Sequence, residues 1–133
     1  MNPYASPQAY RDSAVLTASP EQLVVMLYDG AVRFLRQAEV AMNEGAFLHS
    51  FEKLSRAEAI IDELLATLNM DTGEIAERLQ AIYVFCKKTL IEARIQRQGE
   101  KIAQVVALLA NLREAWAKLA EQGAPAPVAP ASA

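Results

Sequence analysis

Tyr28 and Asp29 set a phenol beside a carboxylate, two groups that could in principle exchange a proton. Around them the reactive residue types are sparse. His49 is the single histidine and Cys86 the single cysteine. His49 falls on the wet face of its helical pattern. Cys86 falls on an apolar stripe, where a cysteine serves as a small buried hydrophobe. No Glu-x-x-His pair occurs, so the carboxylate-bridged metal site of some helical bundles lacks its ligands. The internal glycines are isolated and spell no phosphate-cradling loop. Asp29 therefore reads as a surface carboxylate at the edge of an apolar groove. The expectation is a protein that is not an enzyme and that carries no cofactor and no metal.

The bulk properties narrow the partners. The 133 residues suit one domain with a real core. A net charge of −3 with scattered basic residues argues against nucleic acid, which calls for a concentrated Lys/Arg surface. One cysteine allows no intrachain disulfide, which suits a reducing cytosol. The opening MNPYASPQAYRDSAVL lacks the basic-then-apolar order of a secretory signal, and no apolar run approaches the roughly 18 residues of a membrane span. No direct membrane insertion is expected. The hydrophobic fraction, 53%, exceeds the roughly 45–50% of ordinary domains, which leaves apolar side chains to be accounted for.

Helical periodicity dominates between residues 17 and 122. Ser19, Pro20 and Gln22 spell a capping box with proline at the first helical position. A first helix runs from there to about Asn43, with Gly45 as its stop. A second covers about Ala46–Leu68. A third runs from about Gly73 to Gln98, with Asp71 and Glu74 at cap-box spacing and Gly99 as its end. A fourth covers about Glu100–Gln122. Short joints force successive helices antiparallel, so the expected fold is all-α, an up-down-up-down four-helix bundle. Residues 1–16 read as an extended polar leader and 123–133, GAPAPVAPASA, as a disordered Pro/Ala tail.

The faces do not all fit one core. At 3.6 residues per turn, Leu23, Leu27, Ala31, Phe34 and Ala38 share a stripe on the first helix. Phe51, Leu54, Ile61, Leu65 and Leu68 do so on the second. Ile75, Leu79, Ile82, Cys86, Leu90 and Ala93 line the third, and Ile102, Val105, Leu109, Leu112, Trp116 and Leu119 the fourth. A surplus remains: Val25, Tyr28, Val32 and Leu35 on the first helix, Val84, Ile91 and Ile95 on the third, Leu108 and Ala115 on the fourth. Broad core faces, self-association into a weak homodimer, or a groove for another protein would each hide such residues. Gly30, inside the first helix, could admit a close neighbour.

The segment NPY at Asn2–Tyr4, with Tyr10 and then VLTASPEQLVVMLYDGAVRFL, closely resembles the flagellar secretion chaperone family FliS. The likeness continues through GEIAERL at Gly73–Leu79, Tyr83, LIEA at Leu90–Ala93 and LREAW. Arg94 stands where the family commonly has Asn. The resemblance implies a cytosolic bundle that binds the C-terminal segment of flagellin, blocks premature polymerisation and keeps the subunit ready for flagellar type III export. An export-gate component is a further implied partner. The flagellin-binding residues are then expected to be Val25, Tyr28, Asp29, Val32, Leu35, Val84, Ile91, Ile95 and Leu108. The family's N-terminal segment can cover a groove, which would make Tyr4, Tyr10 and Leu16 the residues of a cap.

Overall fold

The computed structural model describes residues 18–122. The leader residues Tyr4, Tyr10 and Leu16 and the Pro/Ala tail lie outside them. Four long helices follow one another: α1 Pro20–Asn43, α2 Phe47–Thr67, α3 Glu74–Gln96 and α4 Gly99–Gln122. A single 3-10 turn, Met70–Thr72, sits between α2 and α3. α1 packs against α2 and α4, and α3 closes the square against the same two helices. This is the antiparallel four-helix bundle that short joints dictate.

The helix ends follow local chemistry. The Gln22 N–H donates to Ser19 Oγ at 3.2 Å, and the Ser19 N–H donates to Gln22 Oε1 at 2.9 Å, closing the capping box. Such a cap stabilises a helix by about 1 kcal/mol. α1 stops at Gly45, whose φ of +78° lets the chain reverse. The Gly45 N–H then reaches Met42 O at 3.1 Å and the Ala46 N–H reaches Ala41 O at 2.8 Å.

Two ends differ from expectation. Asp71 and Glu74 form no capping box. Instead Asn69 Oδ1 accepts from the Asp71 N–H at 3.1 Å, and α3 starts after Gly73 with no side-chain cap. At the far end of α3, Arg97 rather than Gly99 takes the left-handed conformation, with φ of 54°. Its guanidinium lies 4.6 Å from the Phe47 ring centroid, so the turn is anchored to the start of α2. Gly99 is instead the buried first residue of α4, packed so closely on Asn43 that a Cβ would meet its Oδ1 at 2.2 Å.

The core is one cluster fed by all four helices. On α1 it is rotated toward the following residue relative to the sequence reading. Val24, Tyr28, Ala31, Leu35, Ala38 and Met42 are buried, while Leu23, Leu27 and Phe34 are half-buried. Tyr28 and Leu35, expected on an outer stripe, are fully enclosed. Ile75, expected inside, is 61% exposed, because α3 turns Ala76 and Leu79 inward at that end. The stripes expected on α2 and α4 match the core more closely. Leu54, Ile61, Ile102, Val105, Leu109 and Trp116 are buried, and Phe51, Leu65, Leu68, Leu112 and Leu119 pack at its edge. Gly30 sits where α1 and α2 approach: a Cβ there would lie 3.2 Å from Ile60 Cδ1.

Leu35→Ala is expected to cost about 2–5 kcal/mol of unfolding free energy, because it empties a fully enclosed site. Leu27→Ala, at the half-buried edge, is expected to cost less. Urea midpoints of the two variants give the order, and a reversed order would return Leu27 to the centre of the core.

Candidate functional site

The polar groups inside the bundle were not anticipated. Tyr28 on α1 reaches across the square to α3, where its hydroxyl hydrogen-bonds the Tyr83 hydroxyl. Trp116 on α4 donates its indole N–H to Tyr28 Oη at 3.2 Å. The Tyr28 and Tyr83 ring centroids lie 6.3 Å apart, the rings tilted at 48°. All three side chains are buried, so these bonds replace the water each group loses. Burial pushes the Tyr83 phenol up to about 12 and raises Tyr28 as well, with the neighbouring phenol adding to the effect on Tyr28. Burial also pushes the Cys86 thiol up to about 11, which leaves it protonated and weakly nucleophilic near neutral pH. Tyr28 thus turns away from Asp29, and the adjacent pair does not share a proton.

Asp29 faces outward instead. Its carboxylate accepts from Arg113 Nε at 2.9 Å and from Nη2 at 3.5 Å, a fork joining α1 to α4. That hydrogen bonding raises the guanidinium pKa. The groove between these helices holds two hollows. One, about 560 Å³, is lined by Val25, Met26, Ala117 and Ala120. The other, about 440 Å³, is lined by Asp29, Val32, Arg33, Arg36 and Arg113. Val25 and Val32 are half-buried on its flank. Leu108 is also half-buried and packs against the core.

Most of the exposed large apolar side chains among the described residues lie on α3. Val84, Ile91 and Ile95 are all exposed, Ile95 at 75%. Phe85 joins them, and Ala81 and Lys88 complete the same outer face. Residues 84, 88, 91 and 95 recur at the spacing of a single helix face. The sequence reading passed over Phe85, although its place beside Val84 was a usable signal. The expected residues therefore divide. Tyr28 and Leu35 are in the core; Val25, Asp29 and Val32 flank the α1–α4 groove; Val84, Ile91 and Ile95 stand on the outer face of α3.

Arg94 ties α3 to α2. Its Nη2 donates to Ser55 Oγ at 3.1 Å and to Phe51 O at 3.4 Å, and the guanidinium lies 5.8 Å from the Phe51 ring centroid. It also stands 3.3 Å from Glu58 Oε1, without the alignment of a hydrogen bond. Burial raises the Glu58 pKa, more than Arg94 lowers it. Among the described residues no three His, Cys, Asp or Glu side chains gather as a metal site. Nor is any described helix long and apolar enough to cross a membrane.

A bundle closed by an internal polar knot, with the outer face of α3 left apolar and uncovered, belongs to the class of all-α four-helix bundles. Comparisons with known proteins narrow that class. The family model "Flagellar protein FliS" matches residues 2–123, and the chain belongs to the FliS family. It is 38% identical over 110 residues to a flagellar secretion chaperone FliS of Salmonella typhimurium, covering 81% of this chain and 82% of that one. A Bacillus subtilis protein of the same description is 34% identical over 115 residues, 86% of this chain and 84% of that one. Among solved structures, a bacterial flagellar chaperone aligns with a TM-score of 0.73 over 86% of this chain and 97% of that one. Its identity, 22%, makes this a likeness of fold.

The knot yields an ordered pair of expectations. Tyr28→Phe strands both the Tyr83 hydroxyl and the Trp116 N–H, whereas Tyr83→Phe leaves Tyr28 paired with Trp116. Stranding a buried polar group costs about 1–3 kcal/mol, so Tyr28→Phe is the more damaging by urea denaturation. Alkali attacks the same point. An unfolded tyrosine ionises near 10, but the buried phenols hold their protons to higher pH, Tyr83 to about 12. Their contribution is complete below pH about 10 and is lost as pH rises from there toward about 12. Circular dichroism melts across that range are expected to show the loss, and Tyr83→Phe to reduce it.

Proposed function

We propose that this chain is a cytosolic export chaperone for flagellin. It binds the C-terminal segment of the subunit, prevents premature polymerisation and keeps the subunit competent for flagellar type III secretion. A component of the export gate is its second partner. The observation that carries the reading is the uncovered apolar stripe of α3 on a chain of the FliS family. A client segment that folds on binding needs such a surface: apolar residues at i, i+3, i+4 and i+7 meet a complementary face. Val84, Phe85, Ile91 and Ile95 offer the apolar area, and Lys88 marks the register among them.

The α1–α4 groove extends the same reading. Val25 and Val32 supply half-buried apolar walls, and Asp29 with Arg113 supplies a polar marker in one of the two hollows. Tyr28 and Leu35 act from inside, by fixing how α1 is turned. Burial contributes about 25 cal/mol per Å² of apolar area, and ordering the client removes several kcal/mol of that gain. A long footprint with many modest contacts is therefore favoured over one deep pocket. In this scheme Tyr4, Tyr10 and Leu16 compete with the client for the surface.

Val84→Asp and Ile91→Asp each place a charge against an apolar partner, which must then be desolvated. Both side chains are exposed, so the fold is expected to keep its melting temperature. Calorimetric titration with a flagellin C-terminal peptide is expected to show affinity lowered by about ten-fold or more, equivalent to about 1.4 kcal/mol. Unchanged affinity in both variants would remove α3 from the binding site. A wild-type chain that ignores the peptide and sediments as a dimer would favour self-association instead.

A further inference from the structure

The seam between α1 and α2 gathers cations that neither the core nor the α3 stripe uses. The half-buried ring of Phe34 has Arg33 at 5.5 Å from its centroid, Lys53 at 5.7 Å and Arg56 at 5.8 Å. Gly30, one turn earlier on α1, lets the helices close on Ile60, so cations from both helices meet over one ring. An aromatic face attracts each cation, but it does not neutralise three. Arg56 has a partner in Glu52 at 3.4 Å, and that pair is exposed. Arg33 and Lys53 form no ion pair among the described residues. The whole chain carries −3, so the seam is opposite in sign to the chain's net charge.

We propose that the Arg33, Lys53 and Arg56 cluster on Phe34 is a docking surface for an acidic helical segment of a partner protein. The partner's chemistry follows from spacing and sign. Lys53 and Arg56 are three residues apart on α2, so they present charge on successive turns. Carboxylates at i and i+3 or i+4 of a partner helix are about 5–6 Å apart and match that step. Arg33 adds a third contact from the neighbouring helix and gives the seam a preferred register. Guanidinium groups meet carboxylates in paired hydrogen bonds, which favours carboxylates over diffuse negative charge. The ring holds the three stems in place, so less freedom is lost when the partner arrives. The surface lies on the α1–α2 seam and not on the outer face of α3; of its three cations only Arg33 also lines the α1–α4 groove, so the proposal rests on the seam's charge and not on the client reading.

The test uses the full chain and a fluorescent helical peptide with glutamates on successive turns of one face, read by anisotropy. A glutamine version of the same peptide is the control ligand. Arg33→Gln with Lys53→Gln is expected to weaken glutamate-peptide binding by about ten-fold at low salt. Arg78→Gln with Lys118→Gln makes the same change in net charge elsewhere and is expected to change it by less than about two-fold. Raising salt from about 0.05 M to about 0.5 M is expected to abolish most of the binding. Failure to bind the glutamate peptide, equal binding of the glutamine peptide, or equal losses in the two double variants would each overturn the proposal. So would binding to phosphatidylserine vesicles, lost in the Arg33/Lys53 variant, in the absence of peptide binding.

Discussion

Everything outside this bundle depends on how Tyr28 is placed inside it. A phenol buried without a partner is costly, so Tyr28 must meet another polar group within the core. Tyr83 and Trp116 provide it from two other helices. The two bonds are directional, and leucines alone would not supply that constraint. They fix the rotation of α1, α3 and α4 about their own axes. With Tyr28 inward, Val25, Met26 and Asp29 must flank the α1–α4 groove. With Tyr83 inward, Val84 and Phe85 must turn outward, and Ile91 and Ile95 follow on later turns. The uncovered face of α3 is thus a geometric consequence of a hydrogen bond in the core.

The packing around the knot shows why it fits. Ala31, Ala38, Ala57, Ala76 and Ala93 are buried, and small side chains let the helices come close enough for two phenols to touch across the square. Ser50 adds a second polar tie by donating to Ala38 O at 2.8 Å, again fully buried. Ion pairs then work from outside. Lys87 meets Asp62, and Arg94 reaches Ser55 and the Phe51 carbonyl, so α3 is held to α2 along its polar flank. Exposed pairs add little free energy, about 0–1 kcal/mol each. Their use is to occupy the sides of α3 with charge, leaving the apolar stripe bounded.

The fold was legible from the sequence because its signals are local. Ser19, Pro20 and Gln22 can cap by themselves, and Gly45 adopts its φ whatever surrounds it. The four-helix plan follows from joints too short for any other path. What the sequence hid is rotation. Hydropathy ranks Leu23, Leu27 and Phe34 above a tyrosine, so a one-helix reading centres the core on them. The true centre depends on two partners, 55 and 88 residues away in sequence, that no periodicity in α1 can reveal. Arg97 was missed for a related reason: its left-handed turn is supported by the Phe47 ring, a tertiary contact. On α3 the apolar residues point several ways. There the outer stripe was legible as a surplus, whereas Ile75, at the first turn, was not distinguishable from the core residues that follow it.

The two candidate surfaces rest on different physics, and that difference constrains how a binding cycle can work. The stripe on α3 is apolar, so contact there gains free energy with area and is nearly indifferent to salt. The Phe34 seam is cationic, so contact there sets encounter rate and orientation, and salt weakens it. A client held by apolar area alone has no reason to prefer one orientation of its helices. A partner recognised by charge alone would be lost at ordinary ionic strength. Placing the two on different helices, the stripe on α3 and the seam on α1 and α2, gives each its own contact surface. A small bundle with a single polar core can then hold a client and still present a distinct charged face, and both faces are set by which way Tyr28 points.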